Sequence, residues 1–152
     1  MPSSWTSSFA AAALMSALPL SAEAGPKEEA RATLAAWETA FNAGDADAVV
    51  RLYLPDATMQ GLVSSTLIVG EDALRRYFAA PMKARAKVVI GDTTMQELTA
   101  ESVVATGYEE ASATLPDGRT MSIPGRYTFV LVRRDGAWRI AHQHSSSRFR
   151  PQ

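Results

Sequence analysis

Apolar residues recur along this chain with two periods, and the change from one to the other falls past its middle. Ala30, Leu34, Trp37 and Phe41 follow each other at helical spacing and make one apolar face. Pro26 suits the first turn of that helix, Glu28 and Glu29 complement its positive end, and Gly44 stops it. Asp45 caps a second, short helix with Val49, Leu52 and Tyr53 turned inward, and Pro55 ends it. Residues 57–69 read as an extended stretch bent at Gly61. Residues 70–78 read as a third helix whose buried side carries Leu74, Tyr77 and Phe78, with Arg75 and Arg76 on its solvated face.

From Arg85 onward the pattern is that of strands, over 86–96, 102–114, 120–133 and 137–146. The joints at Thr99-Ala100-Glu101, Pro116-Asp117-Gly118 and Asp135-Gly136 are rich in turn formers. An Asp-Gly pair supplies the positive φ that a tight hairpin requires, so the last two strands run antiparallel. Consecutive strands with short turns make an antiparallel meander. Helices first and strands second is the order of an α+β domain, with the long first helix available to cover one face of the sheet.

Composition narrows the class. The 152 residues suit one domain, and 47% hydrophobic with 20% charged gives enough apolar mass for a core. A formal net charge of -1 gives no electrostatic reason to expect nucleic acid or an anionic membrane as partner. Without cysteine there is no disulfide framework, thiolate nucleophile or cysteine-ligated zinc. Residues 9–20 form a short apolar run ahead of Ala22-Glu23-Ala24, a small-x-small cleavage site. The run is shorter than the roughly 20 residues that cross a bilayer. The chain therefore divides into a signal peptide over 1–24 and one domain over 25–152. The expected location is periplasmic or secreted, with no membrane association after cleavage.

The chemistry-bearing residues concentrate in the strands. His142 and His144, the only histidines, stand two apart on the last strand and so point to one face. A metal site would need a third ligand at a telling spacing, which the sequence does not offer, so no metal or cofactor is expected. The pair can instead serve as donor or general base near neutral pH. Of the adjacent Glu109 and Glu110, one faces each side of the sheet, and whichever points inward is a perturbed carboxylate and an acid/base candidate. Arg126 is placed to pair with it. Tyr53, Tyr108 and Tyr127 offer phenol donors to a carbonyl oxygen. Asp56, following Pro55, reads as a turn-former.

Several stretches resemble the nuclear transport factor 2-like superfamily. Residues 37–53, with Asn42-Ala43-Gly44-Asp45 at the break, resemble its opening helix pair, Leu54-Pro55-Asp56-Ala57-Thr58 the turn that follows, and 70–78 its glycine-led third helix. The ending, Arg133-Arg134-Asp135-Gly136-Ala137-Trp138-Arg139-Ile140-Ala141-His142-Gln143-His144, is similar to the association domain of calcium/calmodulin-dependent protein kinase II. The chain also looks like the small SgcJ/EcaC and SnoaL-like proteins. The resemblance implies a cone: a curved antiparallel sheet wrapped on the first helix, with a pocket between them. It also implies self-association, as a homodimer or larger ring, through the outer sheet face. The kinase relative carries pocket arginines where this chain has Tyr108, Phe129 and Ser145, so its pocket is expected to be less basic.

Residues expected around the pocket are Trp37, Tyr53, Tyr108, Tyr127, Phe129, Gln143 and Ser145. If Ser145 faces inward, strand alternation sends Gln143 and Ala141 inward too and the histidines outward. Yet the histidines also share alternation with Trp138 and Ile140, which belong in a core. A bulge would reconcile the two, and the sequence shows none. Two function classes remain: an exported, self-associating domain holding a small organic ligand, and a cofactor-independent isomerase, cyclase or hydratase with a carboxylate or His base and a Tyr donor.

Overall fold

The computed structural model describes residues 24–115 and 117–148. The leader reading and Pro116 of the second strand joint lie outside the described residues. The first helix, α1 (Pro26–Ala43), buries Ala30, Leu34, Trp37 and Phe41, and the acidic pair Glu28 and Glu29 occupies its first turn. At α2 (Ala46–Val50) the Asp45 carboxylate accepts from the Ala48 amide at 2.8 Å, closing the first turn.

The chain then departs from the sequence expectation. Pro55 does not end α2, and Tyr53 opens the strand β1 (Tyr53–Gln60). The Ile140 amide takes the Leu52 carbonyl at 2.8 Å, so sheet pairing captures the backbone before another helical turn forms. Pro55 fits in the strand because the ladder is interrupted between Tyr53 and Thr58, where a missing N–H costs nothing. Asp56 is accordingly an exposed strand residue, not a turn-former. After the short β2 (Ile68–Val69), helix α3 (Glu71–Lys83) runs five residues beyond Phe78, with Pro81 inside it.

The strands β3 (Lys87–Thr99), β4 (Ser102–Thr114), β5 (Thr120–Arg134) and β6 (Ala137–Ser147) form the meander. The six strands lie in the order β2-β1-β6-β5-β4-β3, antiparallel throughout except for the parallel β1–β6 pair. Asp135 and Gly136 both have positive φ (50° and 74°) in the turn between β5 and β6.

Polar contacts tie both ends of α1 to the sheet. At one end the Trp138 indole donates to Glu29 at 2.7 Å, and Arg133 pairs with the same carboxylate. At the other, the Asn42 amide bonds both the N–H and the C=O of Val88 at 2.8 Å, and Glu38 accepts from the Ile90 amide at 3.0 Å. These last contacts also satisfy the outer edge of β3, which would otherwise be a free pairing edge. Between the ties Trp37 packs on Phe41 and edge-on to Phe129, with ring centroids 5.4 and 5.3 Å apart. Burying such rings favours the fold by about 1.5–3 kcal/mol each. No described helix is long and apolar enough to cross a membrane.

Candidate functional site

The aromatic core does not fill the cone. Past Phe41 and Phe78 it gives way to a cavity of about 340 Å³ between α1, α3, the loop after β1 and the inner face of the sheet. Ala80, Pro81 and Ala84 form one wall, so the extension of α3 past Phe78 is what encloses the space. Leu62 and Val63 form another, held by tight packing at Gly61, where a Cβ would fall 2.2 Å from the Tyr77 hydroxyl oxygen. Val63 and Met121, 71% and 46% exposed, stand at the mouth.

In this largely apolar lining there is one ionisable carboxyl, Glu109. Its neighbour across the ladder is Gly125, and a Cβ there would sit 2.9 Å from Glu109 Cγ and 3.1 Å from Oε1. The glycine makes the space into which the carboxyl folds. Glu109 is 7% exposed, and its Oε1 is buried without a hydrogen-bond partner. Burial pushes its pKa up from the ordinary carboxylate value, and a hydrogen bond from Ser145 draws it partly back.

Ser145 is the end of a directed chain of hydrogen bonds. The Trp37 indole N–H, which can only donate, gives to the Tyr53 oxygen at 2.8 Å. The Tyr53 hydrogen is thereby free for Gln143 Oε1. That fixes the amide, whose Nε2 donates to Ser145 Oγ at 3.1 Å and leaves the serine hydrogen for Glu109. Burial raises the pKa of Tyr53 well above its ordinary value, so its proton stays on the phenol. Burial also raises Tyr77, against hydrogen bonds from the backbone of Val63 and Leu62.

Of the residues expected at the pocket, Trp37, Gln143 and Ser145 line the cavity, whereas Tyr53, Tyr127 and Phe129 are buried in its supporting layer. Tyr127 shares a 2.5 Å hydrogen bond with Thr93. Tyr108 does not point inward: it is 51% exposed on the outer face, with the Arg148 guanidinium 4.4 Å from its ring centroid. The neighbour of an inward Glu109 on a strand must face out. Arg126 sits opposite Tyr108 on that same outer face and donates to Ser146 at 3.1 Å, so it does not pair with Glu109.

His142 and His144 are also outside. Their expected companionship with Trp138 and Ile140 fails because β6 contains a bulge: Leu131 pairs with Ile140, but the preceding Val130 pairs with His142. Ala141 is the extra residue. Trp138, Ile140, Gln143 and Ser145 are therefore all buried, while His142 bonds Thr58 Oγ1 at 2.7 Å on the outer side. Burial, and then the neighbouring His144, lower the His142 pKa. His144 lines a shallow outer-face groove of about 440 Å³ with Thr106, Tyr108, Arg126 and Thr128.

Sequence reasoning named Tyr77 as a core residue and did not place Tyr77, Leu62 or Val63 at the site. The signal available was Gly61, a small residue required beside a large ring. Among the described residues no three His, Asp or Glu side chains converge as a metal site.

A helix-filled cone with a cavity at its open end is the nuclear transport factor 2-like fold. The SnoaL-like domain model matches residues 30–150, and the chain belongs to that family. No curated protein matches it by sequence. Among solved structures, a Xanthomonas campestris protein named for the calcium/calmodulin-dependent protein kinase II association domain is 32% identical, with TM-score 0.75 over 88% of this chain and 93% of that one. A Streptomyces avermitilis protein named as a dehydratase of the NTF2-like family superposes with TM-score 0.73 at 16% identity, covering 82% of this chain and 97% of its own. A ketosteroid isomerase-like protein from Erwinia carotovora atroseptica has TM-score 0.69 at 21% identity, with the same coverages. The last two likenesses are of fold.

Proposed function

We propose that this protein is an exported, self-associating domain that holds a small organic molecule in its cone, apolar body inward and polar group at Glu109. The observation that carries the reading is a cavity of about 340 Å³ whose lining is apolar but for a few polar side chains, among them Glu109, Gln143 and Ser145 linked by hydrogen bonds. Export is inferred from the leader pattern over 1–24. Self-association through the outer sheet face is inferred from the groove around Tyr108 and from the likeness to the Xanthomonas campestris protein named for an association domain.

A second reading, a cofactor-independent isomerase or hydratase-type enzyme, is favoured by one observation. Glu109 Oε1 is unpartnered and its pKa is raised, which suits a general base. Neighbours named as a dehydratase and as isomerase-like point the same way. Against it, the histidines lie on the opposite face of the sheet, and the Tyr53 hydroxyl is committed to Gln143. Neither the histidines nor Tyr53 can therefore serve this carboxylate as donor partner, and binding is the better-supported role.

Native mass spectrometry of the full chain expressed in an export-competent host tests the three parts together. The expected result is loss of residues 1–24, a dimer or larger assembly, and a retained small molecule or uptake of an added apolar one. A monomer would remove the association, an intact leader would remove export, and failure to take up any apolar probe would remove the pocket reading.

A further inference from the structure

Glu109 poses a problem that the fold does not solve internally. A carboxylate buried in apolar surroundings is costly unless its oxygens are satisfied, and one of them is not. No lysine, arginine or histidine is among the residues lining the cavity. Arg126, on the strand beside Glu109 and opposite its neighbour Tyr108, is turned to the outer face. Yet the surroundings are polarised to support the anion. The order of the hydrogen bonds is set at Trp37, whose indole cannot accept, and every later hydrogen in the chain points towards Glu109. A protonated carboxyl could still accept from Ser145 through one oxygen, but its own hydrogen at Oε1 would find no acceptor. A partner that brings hydrogen to Oε1 satisfies it, and one that also carries positive charge supplies what the lining lacks.

We propose that the occupant is a compact lipophilic amine, bound as its ammonium ion, with the nitrogen at Glu109 Oε1 and the hydrocarbon body against Phe41, Phe78, Pro81 and Ile123. This rests on the cone being a ligand pocket and specifies what it selects. The ammonium supplies several donors and one positive charge in a site where charge-assisted hydrogen bonds are stronger than in water. A carboxylate ligand of equal size meets an anion with no cation to separate them and is refused. An alcohol supplies the hydrogen without the charge and ranks between.

Three probes with the same body and different heads separate these cases: adamantylmethylamine, adamantylmethanol and adamantanecarboxylate. Each is titrated calorimetrically into the full-length protein at about pH 8, where an alkylamine is still charged. The amine is expected to bind about tenfold or more tighter than the alcohol, with the carboxylate weakest. In Glu109→Gln the amine's advantage over the alcohol should vanish, while a cooperative thermal transition no lower than the parent's at neutral pH shows that the variant is folded. Equal binding of amine and alcohol to the parent, or preference for the carboxylate, would overturn the amine assignment and leave the pocket reading standing. If none of the three binds, the pocket reading itself falls.

Discussion

At the residue scale, Glu109 sets a pH dependence whose sign is opposite to that of most carboxylates. Its folded pKa is raised, so between the unfolded and the folded value the native state holds more protons than the unfolded one. Stability contributed by this group is therefore full at low pH and falls as pH rises through the folded pKa. Glu109→Gln removes the burden, and thermal unfolding should show a higher Tm for the variant at neutral pH with the gap narrowing towards acid. A gap that widens in acid would contradict the assignment. Tyr53→Phe acts elsewhere on the same chain of bonds. It leaves the Trp37 N–H and Gln143 Oε1 without their partner, and should lower stability by about 1–3 kcal/mol in urea unfolding. Glu109 was legible in the sequence, since of two adjacent glutamates on a strand one must face in. The bonds behind it were not, because they join residues 16 and 90 apart along the chain.

At the scale of elements, the bulge at Ala141 decides what each letter of the last strand does. Alternation alone gave two incompatible answers for His142 and His144, and one extra residue reconciles them by changing which face each half of β6 presents. No residue type marks such a bulge, so the sequence left the question open. The reach of α3 was hidden differently: Pro81 reads as a stop, yet its fixed φ suits a helix and only one backbone bond is lost. The edge strand supplies a test. Asn42→Ala strips both amide contacts from Val88 and should cost about 1–3 kcal/mol. Hydrogen exchange should quicken at Val88 first, and unchanged protection there would show that the tie between α1 and β3 carries little.

At the scale of the molecule, the sheet separates two surfaces. The cone pocket lies on one face, and the groove with Tyr108, Arg126 and His144 on the other. Thr128→Arg on the groove side should shift native mass towards the monomer while leaving adamantylmethylamine binding unchanged. If the assembly survives, the interface lies elsewhere. The α+β order, the meander and the covering helix were all readable from period and turn chemistry. The parallel β1–β6 pairing was not, because nothing local announces a contact between residues so far apart. That pairing has a consequence for synthesis. The sheet's central seam, β6 between β1 and β5, is also its last strand to be made, and the clamp on Glu29 waits for Trp138 in that same strand. A growing chain cannot close the cone before β6 has left the ribosome, whatever has folded ahead of it.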